Sequence, residues 1–209
     1  MKESKIKGIA IRYSNEINGK VVDTIKEHND LFDSKGEVFL GKFGQPAGQK
    51  VVDEINKGEK DYYVILVRRS YETKKYIAHK AKVKKAFRSR PETENIPEYY
   101  KNSRYVKVWF ELTEKLTQLE DEELFRWETT SSKQALINSL VFSMSGFFYV
   151  EFNKDKIIVD TVIPTKAGAK RSTKKKSKAG AKKSHAEDAI LDADFYDDYS
   201  DDSLDDFDF

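Results

Sequence analysis

Residues 68–90 hold the side chains best suited to binding chemistry. Ten Lys or Arg residues and one acid, Glu72, fall in this stretch, and Tyr71, Tyr76 and Phe87 lie among them. A row of cations on a strand can follow a phosphate backbone while aromatic rings stack on bases, and such binding weakens steeply with salt. The stretch predicts a nucleic-acid-binding surface; the alternative is a solubilising hairpin whose rings pack in the core. The predicted contacts are Arg68, Arg69, Lys74, Lys75, Tyr76, Lys80, Lys82, Lys84, Lys85, Arg88, Arg90 and Trp109.

Two blocks of opposite charge end the sequence, so the formal net charge of +2 is a cancellation. Residues 166–184 carry nine Lys or Arg and no acid, and residues 185–209 carry eleven Asp or Glu and no Lys or Arg. Because the basic block has no apolar side chain larger than Ala, it cannot bury enough surface to order itself. We predict a Lys-rich flexible arm over 164–184 and an acidic tail over 185–209. The arm can bind phosphate with little sequence preference, serve as a linker or localisation signal, or pair with the tail.

The last residues of the tail, DDYSDDSLDDFDF, resemble the acidic C-terminal tail of bacterial and phage single-stranded DNA-binding proteins, which ends in an aromatic residue. This resemblance implies that the tail competes with DNA for a basic groove and recruits replication, recombination or repair proteins. The common bacterial ending has Ile-Pro before Phe, whereas this chain has Asp-Phe-Asp-Phe, which is closer to the phage versions. The alternative is a solubility tail. The implied partner-binding residues are Asp205, Asp206, Phe207, Asp208 and Phe209.

The sequence does not favour an enzyme. It has no cysteine, which excludes disulfides, a thiol nucleophile and Cys-ligated zinc. Its three histidines, His28, His79 and His185, lack metal-binding or triad spacing. The glycines of GKFGQPAG lack the Lys-Ser/Thr ending of a phosphate-binding loop and indicate a turn, and the acidic run at 120–123 indicates a solvated turn. We therefore predict no catalytic residue, no metal and no cofactor.

A folded scaffold must position these residues, and the pattern over 1–163 predicts a β-rich nucleic-acid-binding domain. Strands are predicted over 6–13, 38–43, 62–69, 75–87, 105–113, 147–152 and 156–163, and helices over 46–57 and 131–142. The imperfect alternation in 75–87 indicates a bulge, and the segment around His28 indicates a loop. The predicted fold class is α+β, a small β-barrel-like domain with two or so helices.

The segments GKFGQPAGQKVVDEINKGEKDYYVILV, KYIAHKAKVKKAF and YVKVWFELT are similar in order to the strands and helix of PUA-like barrels of the EVE and ASCH kind. This resemblance implies binding of RNA or of flipped, modified DNA bases between aromatic walls. It makes Trp109, Trp127, Tyr62 and Tyr63 candidates for such a cage. The oligonucleotide-binding barrel can be drawn through the same strands.

These observations lead to one principal hypothesis and two alternatives. The principal hypothesis is a non-enzymatic single-stranded DNA-binding protein, of the kind that phages encode, whose tail binds replication or recombination proteins. The alternatives are a PUA/EVE-like reader of RNA or modified DNA bases, and an interaction protein whose acidic tail mimics DNA. No apolar run approaches the roughly 20 residues of a membrane span, so we expect no membrane partner and a cytoplasmic location, in the host cell if phage-encoded.

Overall fold

The computed structural model describes residues 6–156 except 18, 45, 46, 102 and 104. The predicted arm over 164–184, the predicted tail over 185–209 and the predicted strand over 157–163 lie outside these residues. No helix in the described part of the chain is long and apolar enough to cross a membrane.

The described residues form ten strands, four α-helices and a short 3-10 helix. The strands are β1 (Lys7–Arg12), β2 (Glu16–Ile17), β3 (Lys20–Val21), β4 (Val38–Phe43), β5 (Tyr62–Arg69), β6 (Tyr76–Phe87), β7 (Val106–Leu112), β8 (Thr117–Gln118), β9 (Trp127–Thr129) and β10 (Phe147–Phe152). The helices are α1 (Thr24–Lys35), α2 (Gln49–Lys57), α3 (Asp121–Arg126) and α4 (Leu136–Phe142), and the 3-10 helix is Glu98–Tyr100.

Eight of these strands form one mixed sheet in the order β4-β7-β6-β5-β1-β10-β9, with β8 paired to β6. The β1–β5 pair is parallel and the other pairs are antiparallel. The predicted α+β class is confirmed; the predicted barrel-like domain is a mixed sheet with four α-helices, and it does not close into a barrel among the described residues. The sheet has two ends, β4 and β9, and in the described residues no main-chain ladder joins β4 to β10. Side chains fill that gap: the Lys42 ammonium lies 4.1 Å from the centre of the Phe147 ring.

One face of the sheet curves around the larger part of the core. Ile9, Leu40, Leu66 and Phe110 come from four different strands and are buried together there. Helix α2 covers this face with Val52 and Ile55, as its spacing predicts, and ends at Gly58, which has a φ of 67°.

The opposite face is covered by α3, α4 and the loop before β7. Ile65 and Val67 of β5 pack there against Leu136 and Trp127. Because β5 is buried on both faces, its β-branched run is the pattern expected of a central strand. In β6 the register with β7 shifts between Val83 and Lys85, which confirms the predicted bulge.

The structure corrects the prediction at two segments. His28 lies in α1 and not in a loop, and the acidic run at 120–123 opens α3 and is not merely a turn. Helix α1 was missed because its two fully buried side chains, Thr24 and His28, are polar. Its start is capped by Asp23, whose carboxylate accepts a hydrogen bond from the Lys26 amide at 3.1 Å.

His28 has no exposed surface, and burial lowers its pKa from 6.5 to about 4. As the pH falls through 6.5, the unfolded chain binds a proton that the native ring does not accept, so the native state loses stability. Acidification from about pH 7.5 to about pH 5 should therefore remove about 2 kcal/mol of unfolding free energy through this residue. Urea unfolding at several pH values measures this loss. His28→Gln, which can still donate to the Thr24 carbonyl, should lose less unfolding free energy over the same pH range. An equal loss in both proteins would show that His28 is not the source of the pH dependence.

Candidate functional site

A cleft of about 720 Å³ lies beside the ends of β1, β4 and β10. Its walls are the carboxyl ends of β1 and β4, the first residue of β10 and the loop from the 3-10 helix to β7. Aromatic side chains dominate these walls, and Arg12 and Lys42 also line them. The aromatic lining residues are Tyr13, Phe43, Tyr99, Tyr100, Tyr105 and Phe147.

Gly41 allows one wall of the cleft to form. A Cβ on this residue would lie 2.8 Å from a Val106 methyl group and 3.0 Å from the Tyr100 ring, both too close. Without it, Tyr100 packs against the β4 backbone and donates a hydrogen bond from its hydroxyl to the Gly41 carbonyl at 2.8 Å. In the segment GKFG, the first glycine therefore allows side chains to pack closely against the backbone beside the cleft.

Two exposed rings stand at the mouth. Phe43 is 41% exposed and Tyr105 is 68% exposed, although both are large and apolar enough to be buried. The Phe43 ring centre lies 5.3 Å from that of Tyr100, which in turn lies 4.2 Å from that of Tyr99, so the exposed Phe43 ring presents an aromatic surface backed by two further rings. Such a surface suits the face of a flat ring.

Lys42 places a positive charge among these rings. It is 3% exposed, and burial lowers the pKa of its ammonium group. Its nitrogen lies over the Phe147 ring and 3.4 Å from the Phe43 carbonyl oxygen. A lysine with this little exposure is uncommon in a folded domain, and one that lines a cleft is a candidate ligand contact.

The lysines in the middle of β6 are paired with acids. Lys80 pairs with Glu123 of α3, Lys84 pairs with Glu111 of β7, and the Lys82 nitrogen lies 2.7 Å from an Asp61 oxygen. A phosphate would have to displace a carboxylate at each of these positions. The predicted row of cations along β6 is therefore interrupted.

The remaining cations of the stretch lie toward its two ends. At one end, Arg88 donates to the Ala47 carbonyl at 2.9 Å and Arg90 donates to the Lys101 carbonyl, while Lys85 is exposed. At the other end, the turn joining β5 to β6 is surrounded by four cations. None of these four lies within 4 Å of a carboxylate among the described residues. We name them the turn cations: Arg68, Arg69, Lys74 and Lys75.

The aromatic residues proposed from the sequence do not line the cleft. Trp109 and Trp127 are buried in separate clusters, and the buried Tyr62 donates its hydroxyl to Glu54 at 2.8 Å. Tyr76 is half-buried and donates to the Leu140 carbonyl at 2.8 Å, and Tyr63 is half-buried against Trp127. The rings that do form the cleft were not singled out, although the adjacent Tyr99 and Tyr100 after Pro97 are an unusual concentration for a loop.

The tight packing at Gly41 gives a structural test of this wall. Gly41→Ala should lower the free energy of unfolding by about 1–3 kcal/mol, because the added methyl group forces neighbouring side chains to move. Gly146→Ala is the matched control, since nothing lies within 4 Å of a Cβ there, and it should change stability by no more than about 0.5 kcal/mol. Chemical denaturation measures both, and equal effects would contradict the packing described.

Comparison with known proteins agrees with this architecture. A family model described as Pua-like matches residues 9–164, which include most of β1, all of β2 to β10 and every residue that lines the cleft. A search of curated proteins and a search of solved structures each found no match. Because the family match spans well over half of the sequence, the chain belongs to the Pua-like family.

Proposed function

We propose that this protein binds nucleic acid, without altering it chemically, by holding one unpaired base in the cleft. Family membership supports a nucleic-acid partner. The observation that carries the proposal is the cleft itself, which combines exposed rings at its mouth with a buried ammonium group inside. Its volume, about 720 Å³, falls in the range of small-ligand sites and is ample for a nucleotide.

The chemistry of the walls matches that of a base. Every base has an apolar face that stacks on an aromatic ring, and Phe43 and Tyr105 are exposed for such stacking. The Lys42 ammonium can donate to a carbonyl oxygen on the edge of the base. This arrangement favours the reader of RNA or of a modified DNA base.

Single-stranded DNA remains a second candidate ligand, because an unpaired DNA base presents the same face and edge. The turn cations, which have no acid partner in the described part of the chain, favour a ligand that carries phosphates. Recruitment of replication or recombination proteins by Phe209 and its neighbours stays a prediction, as does mimicry of DNA by the acidic tail.

Tyr105→Ala tests the stacking role. Loss of one ring should weaken binding of an unstructured oligonucleotide by about 5- to 150-fold, the equivalent of about 1–3 kcal/mol per stacked base. Fluorescence anisotropy of the full chain at low salt measures it, with Tyr105→Phe as the control that keeps the ring. Wild-type affinity in Tyr105→Ala would overturn the proposal.

The same titration, repeated with RNA, with unmodified single-stranded DNA and with DNA carrying modified bases, separates the two candidates. A reader binds one RNA or one modified base at least about tenfold more tightly, a difference of about 1.4 kcal/mol. A general single-strand binder shows no such preference. Absence of binding to all three would overturn both.

Lys42→Met should separate binding from stability. Met fills a similar volume without the charge that burial opposes, but it also loses the contact of the ammonium group with the Phe147 ring, so the free energy of unfolding should change by no more than about 1 kcal/mol in either direction. Oligonucleotide affinity should fall by at least about tenfold, since the ammonium donor is lost. Denaturant unfolding and anisotropy on the same sample give both values. Undiminished affinity in this variant would remove Lys42 from the site.

A further inference from the structure

A second depression, of about 620 Å³, adjoins the cleft. The two share Tyr13, Ser14 and Glu16 in their linings, so they lie side by side. The floor of the second depression belongs to the end of β5 and the turn that follows it. Three of the turn cations, Arg68, Arg69 and Lys74, line it.

The turn at 70–75 is held in one shape by its own hydrogen bonds. The Ser70 amide donates to the Lys75 carbonyl at 2.8 Å, and the Thr73 amide donates to the Ser70 hydroxyl at 3.2 Å. Lys74 has a φ of 58°, a conformation that a lysine adopts at a cost. Arg69 donates to the Lys74 carbonyl at 3.2 Å, which joins the strand to the turn. These bonds fix the backbone from which the Arg69 and Lys74 side chains project beside the depression.

Charge on the two sides of the second depression is unequal. Glu16 lines it on the side of β2, where it repels phosphate, and Arg68, Arg69 and Lys74 line it from the end of β5 and the turn. Arg68 donates to the Tyr13 hydroxyl at 3.2 Å, so one cation lies at the boundary with the cleft. A polyanion that leaves the cleft is therefore directed along β5 toward the turn.

Tyr71 lies at the tip of this turn and lines the same depression. It is 88% exposed, so its ring is not used in the core. An aromatic ring beside cations that have no carboxylate partner among the described residues is the combination that binds consecutive nucleotides of a single strand. Paired bases do not expose the faces that such a ring needs.

We propose that the β5–β6 turn binds the sugar–phosphate backbone of a single strand next to the base held in the cleft, and that Tyr71 stacks on the adjoining base. This inference rests on the proposed function. It makes the ligand a polynucleotide strand and not a free nucleotide.

The test compares two ligands, an unstructured oligonucleotide of about 12 nucleotides, within the usual range of single-strand sites, and a nucleoside monophosphate. The turn variant is Arg69→Gln with Lys74→Gln. The matched control is Lys50→Gln with Lys57→Gln, which removes the same charge from exposed positions on α2 outside both depressions. Anisotropy across a salt series gives affinity and its salt dependence, and NMR titration follows the monophosphate.

The turn variant should weaken oligonucleotide binding at least about tenfold and should lower the slope of log affinity against log salt by about 1.5, for two lost phosphate contacts. The monophosphate should bind it as it binds the wild type. The control should keep the wild-type slope. Tyr71→Ala should weaken only the oligonucleotide, and Tyr71→Phe should preserve binding.

An unchanged slope in the turn variant, or equal effects of the turn variant and the α2 control, would overturn the inference. If the proposed function is wrong, the result is different: Tyr105→Ala then binds both the oligonucleotide and the monophosphate with wild-type affinity, whatever the turn variant does. Loss of monophosphate binding in the turn variant would also overturn the inference, because it would place the turn inside the base site.

Discussion

The contact between the Lys42 ammonium and the Phe147 ring joins β4 to β10 where a closed barrel would have main-chain hydrogen bonds. Side chains, and not a strand ladder, therefore set the distance between these two strands. The cleft lies at this gap, and Lys42 and Phe147 are both among the residues that line it. Burial disfavours the charged form of the ammonium group, as the lowered pKa of Lys42 indicates. The dense packing on both faces of the sheet can offset this cost in folding free energy.

Acidic side chains determine which cations can meet a phosphate. Glu111, Glu123 and Asp61 come from three different parts of the chain, and each pairs with one lysine of β6. A lysine paired in this way exchanges one anion for another when a phosphate arrives, so its net contribution to affinity is small. The strong positive charge of residues 68–90 in the sequence thus becomes, in the folded domain, positive charge concentrated toward the two ends of β6.

The spacing of apolar residues along the sequence predicted the strands and the helix whose buried side chains recur at a regular interval. The bounds of β4, β5 and β10 agree with the sequence, and α2 has the apolar face and the terminal glycine expected of it. Helix α1 was not predicted from the sequence because a polar residue, His28, occupies a buried position on it. The cleft could not be predicted because both faces of the sheet are covered. The alternation of side chains along the strand therefore could not show that Trp109 is buried while Tyr105 faces solvent. The acid partners of the β6 lysines come from distant segments, which a linear pattern does not bring together.

The pairing of β1 with β10 joins the two ends of the described domain, with Lys7 opposite Glu151 and Ile9 opposite Tyr149. Strand β1 leaves the ribosome well before its partner, which is synthesised some 140 residues later. A loop of that length must close before the pair can form, which slows folding. During translation the cleft therefore acquires one of its walls last, and a nascent chain arrested before β10 would carry an unpaired edge of β1 in place of a ligand site.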